Sequence, residues 1–351
     1  MSKQIGILSK LGLVALSAAF VLSWSSGFLA AKLGTADVTP MTILVWRFVP
    51  LAAGLVLIAI IRHRAQGIRR PSRPALTTQA VIGLSSQFGY VLPIYLAIGL
   101  GVSAGTTALI DAVQPIVIAT LVGPLLGLRV RALQWVGLAL GALGVVLIVA
   151  NDIASTTAPL WAYAFPLCAM ASLVFGTFWE RKHPVEMSVF DTLTVHTSVA
   201  AAAFAVLAVT TGTLLPPASW SFWLTILFLA AVPTLAAYGL YWVLMRRIGI
   251  TALNALLFLV APTTAVLGAI LFGEPLTALT ITGLVLAGVA VSLVVLPARP
   301  AAPQQPAPAP TRQRAQEPSV REPVERCRSA VGAVPRRHSW RRCVVVGSRD
   351  H

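Results

Sequence analysis

Charged residues are scarce in this chain of 351 residues, and cysteines are scarcer still. Asp, Glu, Lys and Arg together make up 11% of the sequence, whereas hydrophobic residues make up 57% and the mean hydropathy is +0.83. A soluble domain carries about 25% charged residues, so this composition excludes an ordinary water-soluble protein. The three cysteines follow no disulfide or zinc-ligand spacing, and no cofactor or metal motif accompanies them.

Acidic residues are fewer than basic ones, 11 against 26, but the basic excess has two separate sources. Residues 1–296 hold 15 of the basic and 7 of the acidic residues, and residues 297–351 hold the remainder. In the first region the basic residues lie in short gaps between apolar runs, where they orient membrane helices. Nucleic-acid binding is therefore not indicated. The Pro-, Ala- and Arg-rich region 297–351 is predicted to be a disordered basic tail.

The apolar runs predict an all-α integral membrane protein. A membrane-spanning helix needs about 17–25 mostly apolar residues, and the runs do not alternate as the strands of a barrel do. The first run is too long for the apolar core of a signal peptide, which has about 7–15 residues. We predict ten transmembrane helices, at 11–31, 40–61, 75–99, 102–127, 131–150, 159–179, 187–209, 219–245, 250–272 and 275–296.

The loop charges predict the orientation of these helices. If ten helices alternate in direction, thirteen basic loop residues lie on one side and Lys32 alone lies on the other. Basic loops stay in the cytoplasm. We therefore expect a multi-pass protein of the cell inner (plasma) membrane with both termini in the cytoplasm.

An internal repeat relates the first half of the membrane region, 1–150, to the second half, 151–296. Each half contains five predicted helices, and because five is odd the second half must enter the membrane from the opposite side. Such inverted repeats occur in many secondary transporters, which bind their substrates near the midplane between the halves. Chance similarity between Ala- and Leu-rich helices is the alternative. The corresponding pairs include Gly27 and Gly176, Lys32 and Arg181, Gly101 and Gly249, Pro115 and Pro262, and Gly137 and Gly283.

Several motifs resemble those of the EamA-type transporters of the drug/metabolite transporter superfamily. They are WSSGF at 24–28, WRF at 46–48, the helix 4 stretch around Pro115, GITALN at 249–254 with Pro262 after it, and FGEP at 272–275. The resemblance covers residues 11–296 and implies two EamA-like five-helix repeats that carry small metabolites, driven by a gradient or by exchange. One position departs from the family pattern. The family often has an acidic residue at the end of helix 4, as Glu274 stands in helix 9, but this chain has Leu128.

Two ionisable residues are predicted to lie inside the membrane. At 1.5 Å per residue, Arg47 and Asp111 lie about 10 and 13 Å below the same surface. Each costs roughly 3 kcal/mol to insert alone, so we expect them to form an ion pair. The pair is either structural, or Asp111 accepts a proton or a substrate amine while Arg47 binds a carboxylate.

The repeat adds further candidates for the site. It relates Arg47 to His196 and Tyr90 to Tyr238, and four such polar residues predict one continuous cavity. His196 is either a proton relay or a packing group, and Trp24 and Gln114 either line the cavity or pack in the core. The candidate substrate-binding residues are Trp24, Arg47, Tyr90, Asp111, Gln114, His196 and Tyr238.

These features favour a secondary transporter for a small metabolite, namely an amino acid, a related compound or a drug. No phosphate-binding GxxxxGK[ST] loop is present, so direct use of ATP is not expected. Export and proton coupling are the preferred direction and driving force. The alternatives are a membrane-embedded enzyme, which would need clustered carboxylates, a metal site or a Ser/His/Asp set, and a non-transporting membrane protein. The expected partners are the small-molecule substrate and the lipid bilayer, and a homodimer is left open.

Overall fold

The computed structural model describes residues 2–66, 71–114, 116–118, 120–121 and 132–295, and this part of the chain is helical with no strands. Pro115, Leu128 and the tail 297–351 lie outside the described residues. The helices are α1 (Ser2–Thr35), α2 (Pro40–Gln66), α3 (Arg73–Gly83), α4 (Gly89–Gly99), α5 (Ala104–Asp111), α6 (Ala132–Ser155), α7 (Ala164–Lys182), α8 (Val189–Thr210), α9 (Trp220–Leu229), α10 (Ala237–Phe272) and α11 (Ala278–Val295).

Seven helical stretches within the described ranges are long and apolar enough to cross a membrane. Three shorter apolar helices follow the order of the remaining predicted segments, at Ala104–Ile118, Leu256–Phe272 and Ala278–Ala290. Ten crossings therefore stay a prediction. Large apolar side chains such as Leu57, Val206 and Ile270 are exposed on these helices, as expected for a surface covered by lipid rather than water.

Two π-helical turns interrupt the predicted third and eighth segments at corresponding places. The turn at Leu84–Phe88 joins α3 to α4, and the turn at Ala230–Ala236 joins α9 to α10. The amide of Gly89 donates to the carbonyl of Leu84, and the amide of Ala237 donates to the carbonyl of Val232, so both bonds join positions that the repeat relates. Because π-turns are rare and frequent at functional sites, this repetition singles out both segments.

Close packing of two glycines follows the same relation. A Cβ added to Gly27 on α1 would lie 3.2 Å from Cβ of Pro233, in the second π-turn. A Cβ added to Gly176 on α7 would lie 2.6 Å from Oγ of Ser85, in the first π-turn. The repeat relates Gly27 to Gly176, and it relates Ser85 to Pro233. Each contact is thus the counterpart of the other with the halves exchanged.

The predicted loop between segments 8 and 9 is helical in the structure. Helix α10 has 36 residues, and as a straight rod it would be about 54 Å long. Neighbouring residues of α1 contact α10 at two places far apart along its sequence, since the rings of Trp24 and Tyr241 lie 6.2 Å apart and Ser25 donates to the carbonyl of Val260 at 3.2 Å. Tyr241 and Val260 would be about 28 Å apart in a straight helix. Helix α10 is therefore bent between these two residues rather than straight.

The core of the bundle is built by helix pairs that bring the predicted halves together. Phe48 of α2 packs against Phe204 of α8 with ring centroids 5.0 Å apart, and both rings are fully buried. Helices α6 and α11 approach so closely that a Cβ on Gly144 would lie 2.9 Å from the carbonyl oxygen of Gly283. Small residues permit such close approach in membrane helices.

Candidate functional site

Two adjacent cavities lie among the described helices of the bundle. The large cavity, of about 140 Å³, is lined by predicted site residues of both halves: Trp24, Asp111, Gln114, His196 and Tyr238. The small cavity, of about 50 Å³, is lined by Arg47 and Tyr90 and shares Trp24 and Tyr238 with the large one. The sequence predicted one continuous cavity, whereas the described residues line two. All seven candidates line one or both, and their role in binding stays a prediction.

Aromatic rings form the boundary between the two cavities. Trp24 of α1 lies against Tyr238 of α10, with ring centroids 5.2 Å apart, and against Tyr241 at 6.2 Å. Tyr90 of α4 reaches across the boundary, because it lines the small cavity while its hydroxyl donates to Oδ2 of Asp111 at 2.8 Å. The boundary between the cavities, which we call the ring wall, is thus made of side chains, and these can reorient by rotation about single bonds without movement of the backbone.

Asp111 has an acceptor atom without a partner. Its Oδ2 accepts from Tyr90, but its Oδ1 is buried and forms no hydrogen bond with any described residue. A buried carboxylate oxygen without a donor costs on the order of a few kcal/mol. Since Asp111 lines the large cavity, a donor placed there would remove that cost.

Arg47 does not pair with Asp111, so the predicted ion pair is wrong for this structure. Arg47 is 4% exposed; its Nε and Nη2 donate to Oγ1 of Thr234 at 3.0 and 2.8 Å, and its Nη1 donates to the hydroxyl of Tyr95 at 3.0 Å. Thr234 lies in the second π-turn and donates in turn to the carbonyl of Leu229 at 2.8 Å. Two neutral hydroxyls, of which that of Tyr95 lies on the small cavity, thus accept from all three nitrogens of the guanidinium. The depth of Arg47 along its helix did not reveal the direction of its side chain.

His196 is bonded on one side of its ring to a residue that the sequence analysis missed. Its Nε2 lies 2.8 Å from Oε1 of Gln79 on α3. The helices are close here, since a Cβ on Gly83 would lie 2.6 Å from Cα of His196.

Ser86, which corresponds to Thr234 in the repeat, also lines the large cavity, and its buried hydroxyl forms no hydrogen bond with a described residue. The hydroxyl of Thr234 thus has hydrogen-bond partners beside Arg47, whereas the hydroxyl of Ser86, its counterpart near His196, has none among the described residues.

The large cavity extends to the C-terminal end of α7, which we call the Arg181 end of the bundle. Glu180 and Arg181 line the cavity there, and both side chains are exposed. Among the described residues, none accepts a hydrogen bond from Arg181 or forms an ion pair with it. The cavity therefore opens at this end beside a guanidinium that no described acid neutralises by direct contact.

The opposite end, which we call the Glu274 end, is held by a carboxylate. Helix α10 ends at Phe272 and is capped by Gly273, whose φ of +68° favours glycine, and Glu274 follows. Glu274 forms an ion pair with Lys32 and accepts from the amides of Ala104 and Gly105 at 3.0 and 3.3 Å. Three helices, α1, α5 and α10, are thereby joined, and the negative charge at the N-terminus of α5 is favourable.

Further hydrogen bonds join other helices at the Glu274 end. Asp152, at the end of α6, accepts from the hydroxyl of Tyr163 at 2.7 Å and from the amide of Ser103 at 3.3 Å. On the other side of the bundle, Thr42 donates to the carbonyl of Thr213 at 2.7 Å, and Trp46 donates to the carbonyl of Leu214 at 2.8 Å. These contacts close the end that lies farthest from the opening of the large cavity.

Comparison with known proteins places this geometry in a family. The EamA-like transporter family matches residues 11–150 and 160–296. The Escherichia coli K12 protein named uncharacterized inner membrane transporter YedA is 28% identical over 299 residues, which are 80% of this chain and 92% of that protein. A Salmonella typhimurium protein named probable amino-acid metabolite efflux pump is 24% identical over 280 residues, 76% of this chain and 89% of that protein.

A solved crystal structure shares the fold. It is 19% identical in sequence, has a TM-score of 0.55, and the superposition covers 81% of this chain and 96% of that one. The two family matches, 11–150 and 160–296, together span nearly all of the membrane region predicted from the sequence. The chain is therefore a multi-pass membrane protein that belongs to the EamA-like transporter family.

Proposed function

We propose that this chain is a secondary transporter that exports a small metabolite of the amino-acid class across the inner membrane. One observation carries the proposal: Oδ1 of Asp111 is buried beside the large cavity without a partner among the described residues. An ionisable group kept in that state inside a membrane protein marks a path for substrates or ions. The name of the Salmonella relative supports the amino-acid class, and the name of the YedA relative supports the inner membrane.

The proposed architecture is ten transmembrane helices arranged as two inverted five-helix repeats. The corresponding π-turns at Leu84–Phe88 and Ala230–Ala236 support the repeat, because their hydrogen bonds join corresponding positions of the two halves. The exchanged contacts of Gly27 and Gly176 support a twofold relation between the halves. In such proteins, rocking of the halves opens a central site alternately to the two sides.

The proposed orientation places both termini and the Arg181 end in the cytoplasm. The distribution of basic loop residues supports it. We expect a cysteine at Gly212 to react with a membrane-impermeant maleimide in intact cells, and a cysteine at Gln66 to react only after permeabilisation. Reaction of Gln66→Cys in intact cells would overturn this topology.

In the proposed cycle, the metabolite enters the large cavity from the cytoplasm. Its ammonium group, or a proton, binds Oδ1 of Asp111. The rings of Trp24 and Tyr238, with the hydroxyl of Tyr90, separate it from the small cavity. When the halves rock, the ring wall opens and the carboxylate of the metabolite reaches Arg47, whose described partners are neutral hydroxyls.

Proton coupling is tested by flux in proteoliposomes, with each proteinogenic amino acid as a radiolabelled probe. An imposed pH gradient should change the flux of the wild type, and Asp111→Asn should abolish that dependence while sparing exchange. Asp37→Asn is the matched control, because Asp37 is exposed and lines neither cavity. If wild-type flux ignores the gradient, Asp111 has no proton role and serves the substrate alone.

A further inference from the structure

The two ends of the bundle carry corresponding cations but only one corresponding acid. The repeat relates Lys32 at the Glu274 end to Arg181 at the Arg181 end, and it relates Glu274 to Leu128. Lys32 is paired with Glu274, whereas the position that would supply a carboxylate to Arg181 carries a leucine. The sequence thus places a cation at the cytoplasmic opening without its acid.

Other acids of the membrane region, residues 1–296, do not replace the missing one, because none of them, Asp37 and Glu186 included, forms an ion pair with Arg181 among the described residues. Asp111 accepts from Tyr90, Asp152 accepts from Tyr163, and Asp191 forms an ion pair with His63. The segment 122–131, which lies outside the described residues, contains neither Asp nor Glu. Glu180 precedes Arg181 on α7, lines the same opening and attracts the guanidinium at longer range, but the two side chains form no ion pair that would occupy the fork of Arg181.

We propose that Arg181 binds the carboxylate of the transported metabolite at the cytoplasmic opening of the large cavity. The substrate then supplies the acid that Glu274 supplies at the opposite end. This inference rests on the proposed function, and it defines the substrate class as a zwitterion whose carboxylate is bound by Arg181 at the exposed opening before its ammonium reaches the buried Oδ1 of Asp111 deeper in the same cavity. Both side chains line the same cavity.

The chemistry of the two cations fits their different tasks. A lysine is a compact point charge, and Lys32 holds a carboxylate that is fixed to the chain. An arginine offers a planar fork that binds a carboxylate through two parallel hydrogen bonds, which suits a ligand that arrives from solution. Glu180 repels a second negative charge, so the opening favours one carboxylate beside an ammonium over a dicarboxylate.

The test compares each amino acid with its own carboxamide. Binding of both to the purified wild-type protein is measured by calorimetry, and the same pairs are measured on Arg181→Gln, Arg181→Lys and the control Lys182→Gln. Lys182 is the next residue on α7, is exposed and does not line the cavity. We expect Arg181→Gln to weaken binding of the free acid at least tenfold and to leave the carboxamide unchanged. Arg181→Lys should be intermediate. An equal loss for acid and amide, or no loss, would overturn the proposal.

A second measurement separates failure of this site from failure of the transport function. Phenylglyoxal modifies accessible arginines, and its rate at Arg181 is read by peptide mass spectrometry with and without acetate. We expect acetate to slow modification of Arg181 but not of Arg247, which is exposed on α10 outside the cavity. Equal protection of both, or of neither, contradicts a carboxylate site at Arg181 whether or not the protein transports amino acids.

Discussion

The Glu274 end and the Arg181 end of the bundle are formed by segments that the predicted repeat relates, yet only the first is closed by the described residues. At the Glu274 end, one carboxylate joins Lys32 to the N-terminus of α5, and Asp152 holds a second amide there. At the Arg181 end, no described acid pairs with the cation and the large cavity reaches the surface. In the predicted repeat, the sequence has Leu128 at the position that corresponds to Glu274, and this difference in sequence accompanies the difference between the two ends.

The surroundings of Arg47 and of His196, two residues that the predicted repeat relates, show the same contrast inside the bundle. Each nitrogen of the Arg47 guanidinium donates a hydrogen bond to Thr234 or Tyr95, and Arg47 lines a cavity of about 50 Å³. The corresponding His196 reaches Gln79, but the hydroxyl of Ser86 has no partner among the described residues beside a cavity of about 140 Å³. Of these two surroundings, that of Arg47 offers bonded polar groups, whereas that of His196 includes the unpartnered hydroxyl of Ser86 on the larger cavity, where a ligand binds at less cost.

The largest expected effect comes from breaking the closed end with Glu274→Gln. The change leaves Lys32, which is 33% exposed, without its acid, and weakens the bonds to two amides. Removing one partner of a partly buried pair costs more than about 1.4 kcal/mol, which is tenfold in an equilibrium. A cysteine at Ile94 in the small cavity should then react with an external impermeant maleimide more than ten times faster.

Glu274→Asp is the control for that prediction, because it keeps the charge and shortens the side chain by one methylene. We expect it to restore part of the protection of Ile94→Cys. If Glu274→Gln leaves the reaction rate unchanged, the ion pair does not hold this end closed.

A smaller effect is expected for Thr42→Val, which also lies at the Glu274 end. The substitution keeps the shape of the side chain and removes the hydrogen bond to the carbonyl of Thr213. One such bond contributes about 1 kcal/mol, so external labelling of Ile94→Cys should rise roughly fivefold. Thr263→Val, which removes a bond within α10 at an exposed site, should leave the rate unchanged. Equal rates in both variants would show that the Thr42 contact does not close the end.

The smallest effect is expected from adding the missing acid to the open end. Leu128→Glu supplies a carboxylate at the position that the repeat relates to Glu274, and an exposed ion pair with Arg181 contributes about 0.2–1 kcal/mol. The melting temperature of the purified protein should rise by about 1–2 °C. Leu128→Gln should not produce this rise, and Leu128→Glu combined with Arg181→Gln should lose it. A rise that survives the loss of Arg181 would contradict the pairing.

The sequence predicted the helical segments well where apolar runs are long and bounded by charge, as in α2 and α8. It missed that α10 continues through residues 246–249, because the composition of this stretch is typical of a loop between two membrane helices. It also missed the partners of Arg47 and Asp111. Position along a helix gives depth in the membrane, but the direction of a side chain depends on local winding, and the π-turn that places Thr234 has no sequence signal.

The repeat was the part of the sequence with the most information about the site. It relates Arg47 to His196 and Tyr90 to Tyr238 from the sequence alone, and all four residues line the two cavities. It could not indicate that Tyr90 bonds Asp111 or that Gln79 bonds His196, because neither contact has a counterpart among the described residues of the other half. Departures from the symmetry are thus the features that only the structure supplies.

The most direct test of the inward-facing transporter is side-specific labelling of Thr177→Cys. Thr177 lines the large cavity on α7, and the experiment uses a background in which Cys168, Cys327 and Cys343 are serine. In sealed vesicles, an impermeant maleimide should modify this cysteine only from the cytoplasmic face, and an amino acid that is exported should slow the reaction. Modification from the external face alone, without protection by any amino acid, would contradict a substrate cavity that opens to the cytoplasm.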